Sequence, residues 1–267
     1  MLEKVLISRI MYHVYSKNLM NKNQYGFTPQ TSIVDAVMAL KDYVQSSIDD
    51  GQYVAAISLD VKGAFDAAWW PGILASLRQL RCPGNLYKLC GSYFKDRTAF
   101  LTMNKGMTQR HISKGCPQGS ASGPGFWNIL YKSLLNLEYR QTTKVIAYAD
   151  DLMVLIKGSN QVEVENYANI ETQKITNWGR NNKMSFNDQK SKVMIITKKK
   201  PKNRRDIKIF LNNKKIQQAD TIKYLGITSD RRFTFNQHTD KITGKSLKIV
   251  HALSTSAKIN WGLRQAF

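Results

Sequence analysis

The sequence predicts an α+β fold in which a small antiparallel sheet is flanked by helices. Apolar runs at residues 53–59, 144–148 and 152–156 are typical of buried strands. The last two runs are so close together that they indicate a hairpin. Other segments place apolar residues at helical spacing. Because 42% of the 267 residues are hydrophobic and 10% are aromatic, the chain can bury a core, which excludes a disordered basic tail.

Two helices are expected before the first strand. The first, over residues 2–17, is indicated by an apolar stripe at Leu2, Leu6, Ile10 and Val14. The second, over residues 33–48, follows the capping pair Thr31-Ser32. The strand over 53–59 then leads directly to Asp60, so an acid stands at its carboxyl end.

The middle of the chain is predicted to form a helix, a hairpin and a long loop. We expect Asp66 to cap a helix that begins near Trp69, with Pro71 in its first turn. Residues 98–113 form a hairpin pattern. A glycine-rich loop over 115–125 leads into a helix from Phe126.

The last third contains both element types. Residues 162–180 form a helical pattern, and residues 193–197, 207–211 and 216–228 are expected to be strands. Residues 235–262 again favour a helix. Because no repeat or Pro/Gly-rich linker divides the sequence, we interpret it as one compact body with a basic C-terminal extension.

Charge is distributed unevenly along the chain. The net charge is +21, far beyond the magnitude of about 2–8 that solubility requires. Residues 190–248 hold 17 Lys plus Arg against 4 Asp, a net +13. This predicts a polyanionic partner, either nucleic acid or an acidic membrane. The run KKKPKNRR at 198–205 is interpreted as a grip on nucleic-acid phosphates or as a solvated, nuclear-import-like cluster.

Several other classes of protein are not favoured. The cysteines Cys82, Cys90 and Cys116 form no CxxC pair, so neither a disulfide framework nor a zinc site is expected. Their absence of pairing favours a reducing intracellular compartment. The N-terminal MLEKVLISRI lacks the apolar core of a secretory signal. No apolar stretch reaches the ~18 residues of a membrane span.

Acids at strand ends are the unusual feature of so basic a chain. Asp60 ends one strand, while Asp150 and Asp151 lie at the tip of the 144–156 hairpin. If the two elements are neighbours in one sheet, the carboxylates converge and favour a hard cation such as Mg²⁺. Two such ions serve in-line phosphoryl transfer. Taken alone, an Asp-Asp pair is more often a turn.

Six segments in order resemble the motifs of reverse transcriptases. The sequence YADD at 148–151 resembles their YxDD box, SLDVKGAFD at 58–66 their first metal-binding motif, and KGCPQGS at 114–120 their glycine-rich loop. The segment NQYGF at 23–27 resembles a fingers motif, and NDQKS at 187–191 and KYLG at 223–226 resemble the two motifs that follow. The amino-acid sequences of these motifs are most similar to those of non-LTR, LINE-type retrotransposons of arthropods, including elements that insert into ribosomal DNA.

The resemblance implies a right-hand polymerase with palm, fingers and a truncated thumb. Residues 1–52 would be a fingers segment, 53–71 and 114–230 the palm, 72–113 a connection between fingers and palm, and 231–267 the start of the thumb. We expect no endonuclease domain before these motifs and no RNase H domain after them.

The resemblance also assigns the catalytic centre. Asp60, Asp150 and Asp151 would be the catalytic acids. With the Val61 carbonyl they would hold two Mg²⁺ ions, for which Mn²⁺ is an alternative. Lys190 matches a lysine that would donate a proton to pyrophosphate, and a solvated surface lysine is an equal interpretation.

The family roles at the dNTP are carried by two short segments. Gly63 and Ala64 would bring backbone amides to the triphosphate, and Gln118 and Gly119 would approach the incoming nucleotide. Phe65 stands at the steric-gate position, where a ring collides with a 2′-hydroxyl. Its alternative interpretation is a core aromatic.

The motif that contacts the primer matches the family, whereas the fingers motif departs from it. Tyr224, Leu225 and Gly226 would hold the primer 3′ end. After Phe27 many family members carry Arg, whereas Thr28 stands here. Either another cation, from the set Lys22, Lys62 and Lys114, contacts the triphosphate, or the site binds it more weakly. The pair Ala121-Ser122 also replaces bulkier residues of the family.

The predicted function is therefore an RNA-directed DNA polymerase that extends a primer 3′-hydroxyl with dNTPs on an RNA template. Its partners would be an RNA template, a DNA primer and dNTP, with no membrane, and it would act inside the cell, in the nucleus during reverse transcription. One alternative is a catalytically impaired nucleic-acid-binding fragment of a decayed element. Another is a group II intron-type maturase.

Overall fold

The helices and strands are given for the residues that the computed structural model describes, 1–103, 106–199 and 206–256. The helices α1–α8 are Leu2–Ser16, Ile33–Asp49, Ala64–Ala67, Trp70–Gln79, Gly84–Phe94, Gly123–Leu135, Gln161–Asn181 and Asn236–Ser256. The strands β1–β11 are Tyr53–Val61, Thr98–Met103, Gly106–His111, Thr143–Tyr148, Asp151–Gly158, Phe186–Ile196, Phe210–Leu211, Lys214–Lys215, Gln217–Gln218, Thr221–Tyr224 and Ile227–Asp230.

A five-stranded sheet in the order β4-β5-β1-β6-β9 is the centre of the fold. Strand β1 pairs antiparallel with both β5 and β6, and β4 pairs antiparallel with β5. Only the short β6–β9 contact is parallel among the described strands of this sheet. The predicted antiparallel sheet flanked by helices is confirmed.

Strand β1 is buried on both faces, which explains its continuous apolar run. Ala55, Ile57 and Leu59 belong to a cluster shared with α1, α4, α5, α6 and α7. Val54 and Ala56 belong to a second cluster beneath α2 and the β10–β11 hairpin. Because side chains alternate across a strand, the nine residues of β1 contribute side chains to both clusters.

Most element predictions are confirmed, and the best defined is the start of α2. Ser32 accepts a hydrogen bond from the Asp35 amide, and the Asp35 carboxylate accepts one from the Ser32 amide. This is the reciprocal capping box that satisfies two helix-end donors. The predicted hairpins and the helix α7 are also present.

The segment after β1 differs from the prediction. Asp66 lies within the short helix α3, and α4 is preceded by Trp69, which makes no side-chain capping hydrogen bond. The assignment of Asp66 as the cap of α4 is therefore wrong, because the chain first turns into α3. Helix α5 was not predicted, although Leu86, Cys90 and Phe94 follow helical spacing and are buried.

Several other element boundaries differ from the prediction. Strand β6 begins seven residues before the predicted 193, where it continues along β1. Helix α6 begins at Gly123 rather than Phe126. The expected strand at 207–211 is reduced to β7. The predicted helix over 235–262 is present as α8, and residues 257–262 lie outside the described residues. The division into fingers, palm and thumb stays a prediction.

The basic run at 198–205 is described only at its first two residues. Lys198 forms an ion pair with Asp49, and the Lys199 ammonium lies 5.2 Å from the centre of the Tyr53 ring. Residues 200–205 lie outside the described residues, so the two interpretations of this run stay open. None of the described helices combines the length and the hydropathy that crossing a bilayer demands.

Candidate active site

The register of the sheet brings the three predicted catalytic aspartates to one edge. Leu59 of β1 pairs with Leu152 of β5, so Asp60 and Asp151 are the next residues of two adjacent antiparallel strands. Asp150 precedes Asp151 in the turn between β4 and β5. Asp60 and Asp151 are 91 positions apart in sequence, and they meet because antiparallel pairing aligns the end of β1 with the start of β5.

Electrostatics at this edge agree with the register. The pKa of Asp151 is raised above its ordinary value, first because the surrounding protein desolvates its carboxyl group and then because Asp150 and Asp60 are negatively charged. Asp151 is nevertheless solvent-exposed, and Asp60 and Asp150 are half-buried. A cation between these groups would relieve their repulsion.

A bulge in β6 holds the other side of Asp60. The register of β6 on β1 shifts between Ser58 and Asp60, where residues 188–191 loop out. The Ser191 hydroxyl accepts a hydrogen bond from the Asp60 amide at 3.3 Å and donates one to the Asn187 carbonyl at 2.6 Å. Ser191 thus replaces a ladder partner that the bulge removes, a role that sequence reasoning missed.

The bulge also brings Lys190 to the aspartates. Its ammonium lies 4.0 Å from an Asp60 carboxylate oxygen, with 71% of the Lys190 side chain exposed and 39% of that of Asp60. An exposed pair at this distance contributes little to stability. Its significance is that a positive charge already lies beside the predicted metal ligand.

The turn at residues 148–151, here called the YADD turn, is held by buried groups that sequence reasoning missed. Ala149 adopts a left-handed backbone with φ of 55°. Its carbonyl oxygen accepts hydrogen bonds from the Trp127 indole at 2.9 Å and from the Gln24 side-chain amide at 3.2 Å. In the sequence, Trp127 is one more apolar residue of a helix, so nothing there indicated this contact.

The predicted dNTP-binding residues fall into two groups. Gly63 has a positive φ of 54° at the start of α3, Ala64 is buried behind it, and Phe65 is half-buried. Gln118 and Gly119 lie in an exposed turn, with a φ of 80° at Gly119. Within the described residues, no hydrogen bond or ion pair joins this turn to the aspartates, so these assignments stay predictions.

Backbone contacts nevertheless tie the glycine-rich loop to the segment after β1. The Cys116 amide donates to the Phe65 carbonyl at 2.8 Å, and the Gly115 amide donates to the Ala68 carbonyl at 2.7 Å. Gly115 has a φ of 102°, and a Cβ there would lie 3.2 Å from the Asp66 carbonyl oxygen. This close approach explains the glycine.

Phe65 lies within a row of rings. Its ring centre is 6.0 Å from that of Phe27, edge-on, and 5.2 Å from that of Trp127. Phe27 is exposed, whereas Trp127 is fully buried. The geometry is compatible with both the steric gate and the core aromatic.

The predicted primer-grip residues form the tip of the β10–β11 hairpin. Leu225 and Gly226 have φ of 47° and 86°, as a two-residue hairpin turn with left-handed residues requires. Tyr224 is buried, and its hydroxyl donates to the Ile146 carbonyl at 3.5 Å. The pKa of Tyr224 is raised by burial and, to a lesser extent, by the negative charge of Asp151.

The cation that replaces the absent fingers Arg stays a prediction. Lys22 and Lys114 are exposed. Lys62 is half exposed, and its ammonium lies 3.9 Å from Asp188, which also pairs with Lys214 at 3.4 Å. Lys62 therefore has a competing carboxylate, which Lys22 and Lys114 do not show among the described ion pairs.

The family model for "Reverse transcriptase (RNA-dependent DNA polymerase)" matches residues 1–229. The chain belongs to the reverse transcriptase family. The Pol polyprotein of type-1 retrotransposable element R1 from Bradysia coprophila is 27% identical to this reverse transcriptase domain over 262 residues, 98% of the chain and 26% of the relative. The RNA-directed DNA polymerase of mobile element jockey from Drosophila melanogaster is 25% identical over 90% of the chain and 26% of the relative.

These relatives, which come from insects, confirm the predicted resemblance to non-LTR retrotransposons of arthropods. The reverse transcriptase domain spans about a quarter of the length of the curated relatives it matches. Among solved structures, an apo telomerase from Candida tropicalis, truncated of its C-terminal domain, is similar with a TM-score of 0.60 at 11% identity, over 86% of this chain and 44% of that chain. A telomerase from Candida albicans with a TWJ fragment of telomeric RNA has a TM-score of 0.57 at 14% identity, over 85% and 36%. The right-hand polymerase fold is thereby confirmed.

Reverse transcriptases generally use divalent metal ions, and the donor chemistry of this domain fits one. Carboxylate oxygens without Cys or His suit Mg²⁺. In the described residues, no three His, Cys, Asp or Glu side chains are gathered closely enough to hold a metal ion by themselves. A divalent ion at the aspartates would therefore need further ligands from substrate phosphates or water.

Proposed function

We propose that this domain is an RNA-directed DNA polymerase that extends a primer 3′-hydroxyl with dNTPs on an RNA template, as part of a non-LTR retrotransposon. The observation that carries the proposal is the meeting of Asp60, Asp150 and Asp151 at one edge of the sheet. Family membership supports the same activity.

In the proposed mechanism, Asp60, Asp150 and Asp151, with the Val61 carbonyl, would hold two Mg²⁺ ions. When bound, these ions would activate the primer hydroxyl and neutralise charge on the triphosphate. The aspartates position the reacting groups, and the Ser191 hydroxyl holds the Asp60 backbone. Lys190 is exposed beside Asp60, where its ammonium can give a proton to the departing pyrophosphate.

The charge of the chain supports a nucleic-acid substrate. The 267-residue chain carries a net charge of +21, although three aspartates meet at its candidate centre. Contacts between Lys or Arg and phosphates release counterions, so binding to a primed RNA template should weaken steeply as salt rises. RNA template, DNA primer and dNTP are the proposed partners.

An extension assay tests the proposed function. The domain is incubated with a primed RNA template, dNTPs and Mg²⁺, and extended primer is measured beside template–primer binding. We expect extension that stops when EDTA removes the metal. Binding of template–primer without any extension would instead support the alternative, a nucleic-acid-binding module without catalysis.

Replacing Phe65 with valine tests the steric gate. A clash between the 2′-hydroxyl of an rNTP and the Phe65 ring should cost about 1–3 kcal/mol, as overpacking typically does. Because Phe65→Val removes this clash, the use of rNTP relative to dNTP should rise by roughly 5- to 150-fold. The measurement is the ratio of kcat/KM for the two nucleotides. Phe27→Val is the matched control, because it removes the same Phe27–Phe65 contact from the other side. An unchanged ratio in Phe65→Val would leave the ring as a core aromatic.

A further inference from the structure

The carbonyl oxygen of Ala149 lies one residue before Asp150 and receives two buried hydrogen bonds. We propose that Trp127 and Gln24 are positioning residues that fix Asp150 through this shared acceptor. The inference rests on the proposed polymerase function and deepens it, since it names groups that set the position of a catalytic carboxylate without touching substrate.

The YADD turn needs such support because of its own backbone. Ala149 has a φ of 55°, a left-handed conformation that a residue with a Cβ adopts reluctantly. Asp150 follows directly, so any relaxation of Ala149 towards the ordinary region swings the Asp150 side chain. A non-glycine residue persists there only when its surroundings determine it.

The two donors are suited to hold the turn rigidly. Trp127 is fully buried and Gln24 is 1% exposed, while Ala149 itself is 9% exposed. The indole N–H donates at 2.9 Å and the amide at 3.2 Å. A carbonyl oxygen has two lone pairs, so both bonds can form at once. If both were lost, a buried acceptor would be left without a partner.

Each donor is itself fixed by the scaffold. Gln24 belongs to a segment bridged to β4, in which the Tyr25 amide donates to the Ala147 carbonyl at 2.8 Å and the Ala147 amide donates to the Asn23 carbonyl at 2.8 Å. Trp127 lies on α6, and its ring centre is 4.9 Å from that of Tyr131.

A further bond joins the two supports. Asn128, next to Trp127, donates its side-chain amide to the Gly26 carbonyl at 3.0 Å. The segment of residues 23–26, α6 and the YADD turn therefore form one hydrogen-bonded unit. A shift in either donor is transmitted to Ala149 and from there to Asp150.

The variant Trp127→Phe tests the proposal, since it keeps a buried ring and removes the indole N–H. The matched control is Trp178→Phe. Trp178 is also buried, at 5% exposure, and donates its indole N–H at 2.9 Å, but to the Ser133 hydroxyl. We expect kcat of Trp127→Phe to fall by about 10- to 100-fold with KM for dNTP nearly unchanged, because a misplaced reacting group affects the chemical step. Trp178→Phe should keep the wild-type kcat.

Amide hydrogen exchange supplies a readout that does not depend on activity. A peptide containing residues 148–151 should exchange faster in Trp127→Phe and in Gln24→Met than in the wild type, and at the wild-type rate in Trp178→Phe. The double variant Trp127→Phe/Gln24→Met should lose more kcat than the product of the two single losses, because only it orphans the Ala149 carbonyl.

The possible failures are distinguishable. Equal kcat and equal exchange in Trp127→Phe and Trp178→Phe would overturn the positioning role. A loss of kcat in the double variant that only equals the product of the two single losses would overturn it as well. If Trp127→Phe does not fold, Gln24→Met decides by the same two measurements. A wild type that binds but does not extend would refute the polymerase, while exchange in the YADD turn would still confirm or reject its support by Trp127 and Gln24.

Discussion

Replacing Asp150 with asparagine is expected to abolish primer extension while leaving the fold and template binding intact. Asparagine has the same shape but lacks the charge that a divalent cation requires. Loss of one preorganised electrostatic contact to the transition state costs about 10²–10³-fold in kcat, and loss of a metal ligand should reach at least the upper end. The measurement is single-turnover extension on a primed RNA template, with binding measured in parallel.

The stability of Asp150→Asn should move in the opposite direction from its activity. The negative charge of Asp150 is one of the causes that raise the pKa of Asp151. Removing it relieves repulsion, so thermal unfolding should occur at the wild-type temperature or slightly above. The raised pKa means that the folded state disfavours the ionised carboxylate of Asp151, and this penalty falls when Asp150 becomes neutral.

Asp42→Asn is the matched control for Asp150→Asn. Asp42 is an exposed aspartate on α2, and the same substitution there should change neither extension nor binding. Extension by Asp150→Asn at the wild-type rate would contradict the assignment of the catalytic centre. Equal losses in Asp150→Asn and Asp42→Asn would attribute the effect to net charge.

The second large effect is expected for Gly26→Ala. A Cβ at this position would lie 2.8 Å from the Tyr148 carbonyl carbon and 2.9 Å from the Ala149 Cα, and closer still to the Ala149 nitrogen. All three are backbone atoms, which cannot move aside by changing a rotamer. Either the segment of residues 23–26 moves away from the YADD turn or the turn itself shifts.

Gly26→Ala should therefore lower the free energy of unfolding by about 3 kcal/mol or more, at the upper end of what overpacking costs. Extension should fall even under conditions where the variant stays folded, since the displaced backbone carries Asp150. Urea unfolding gives the stability, and extension at low temperature gives the activity.

Gly91→Ala is the control for adding a methyl group. Gly91 lies inside α5, and a Cβ there would meet no atom within 4 Å. Alanine is favoured over glycine in a helix interior by about 0.5–1 kcal/mol, so this variant should be slightly more stable than the wild type. A Gly26→Ala protein as stable as Gly91→Ala would show that the two backbones do not pack so closely.

Much of the architecture could be predicted where local pattern and burial agree. Strand β1 and the β4–β5 hairpin are apolar on both faces because helices or further strands cover them, and α2 begins with a capping box that is written in four residues. Prediction failed where the partner decided the outcome. Asp66 has the chemistry of a cap but lies inside α3, and β6 starts early because β1 pairs with it.

The candidate site divides in the same way. The motifs in the sequence alone determined the family and predicted which aspartates carry the chemistry, because that chemistry depends on residue type and order. Only the tertiary structure decided that Asp60 meets Asp151, that Lys190 lies 4.0 Å from Asp60, and that Trp127 and Gln24 hold Ala149. These contacts join residues far apart in the chain, so they depend on strand register and helix packing, which no local pattern contains.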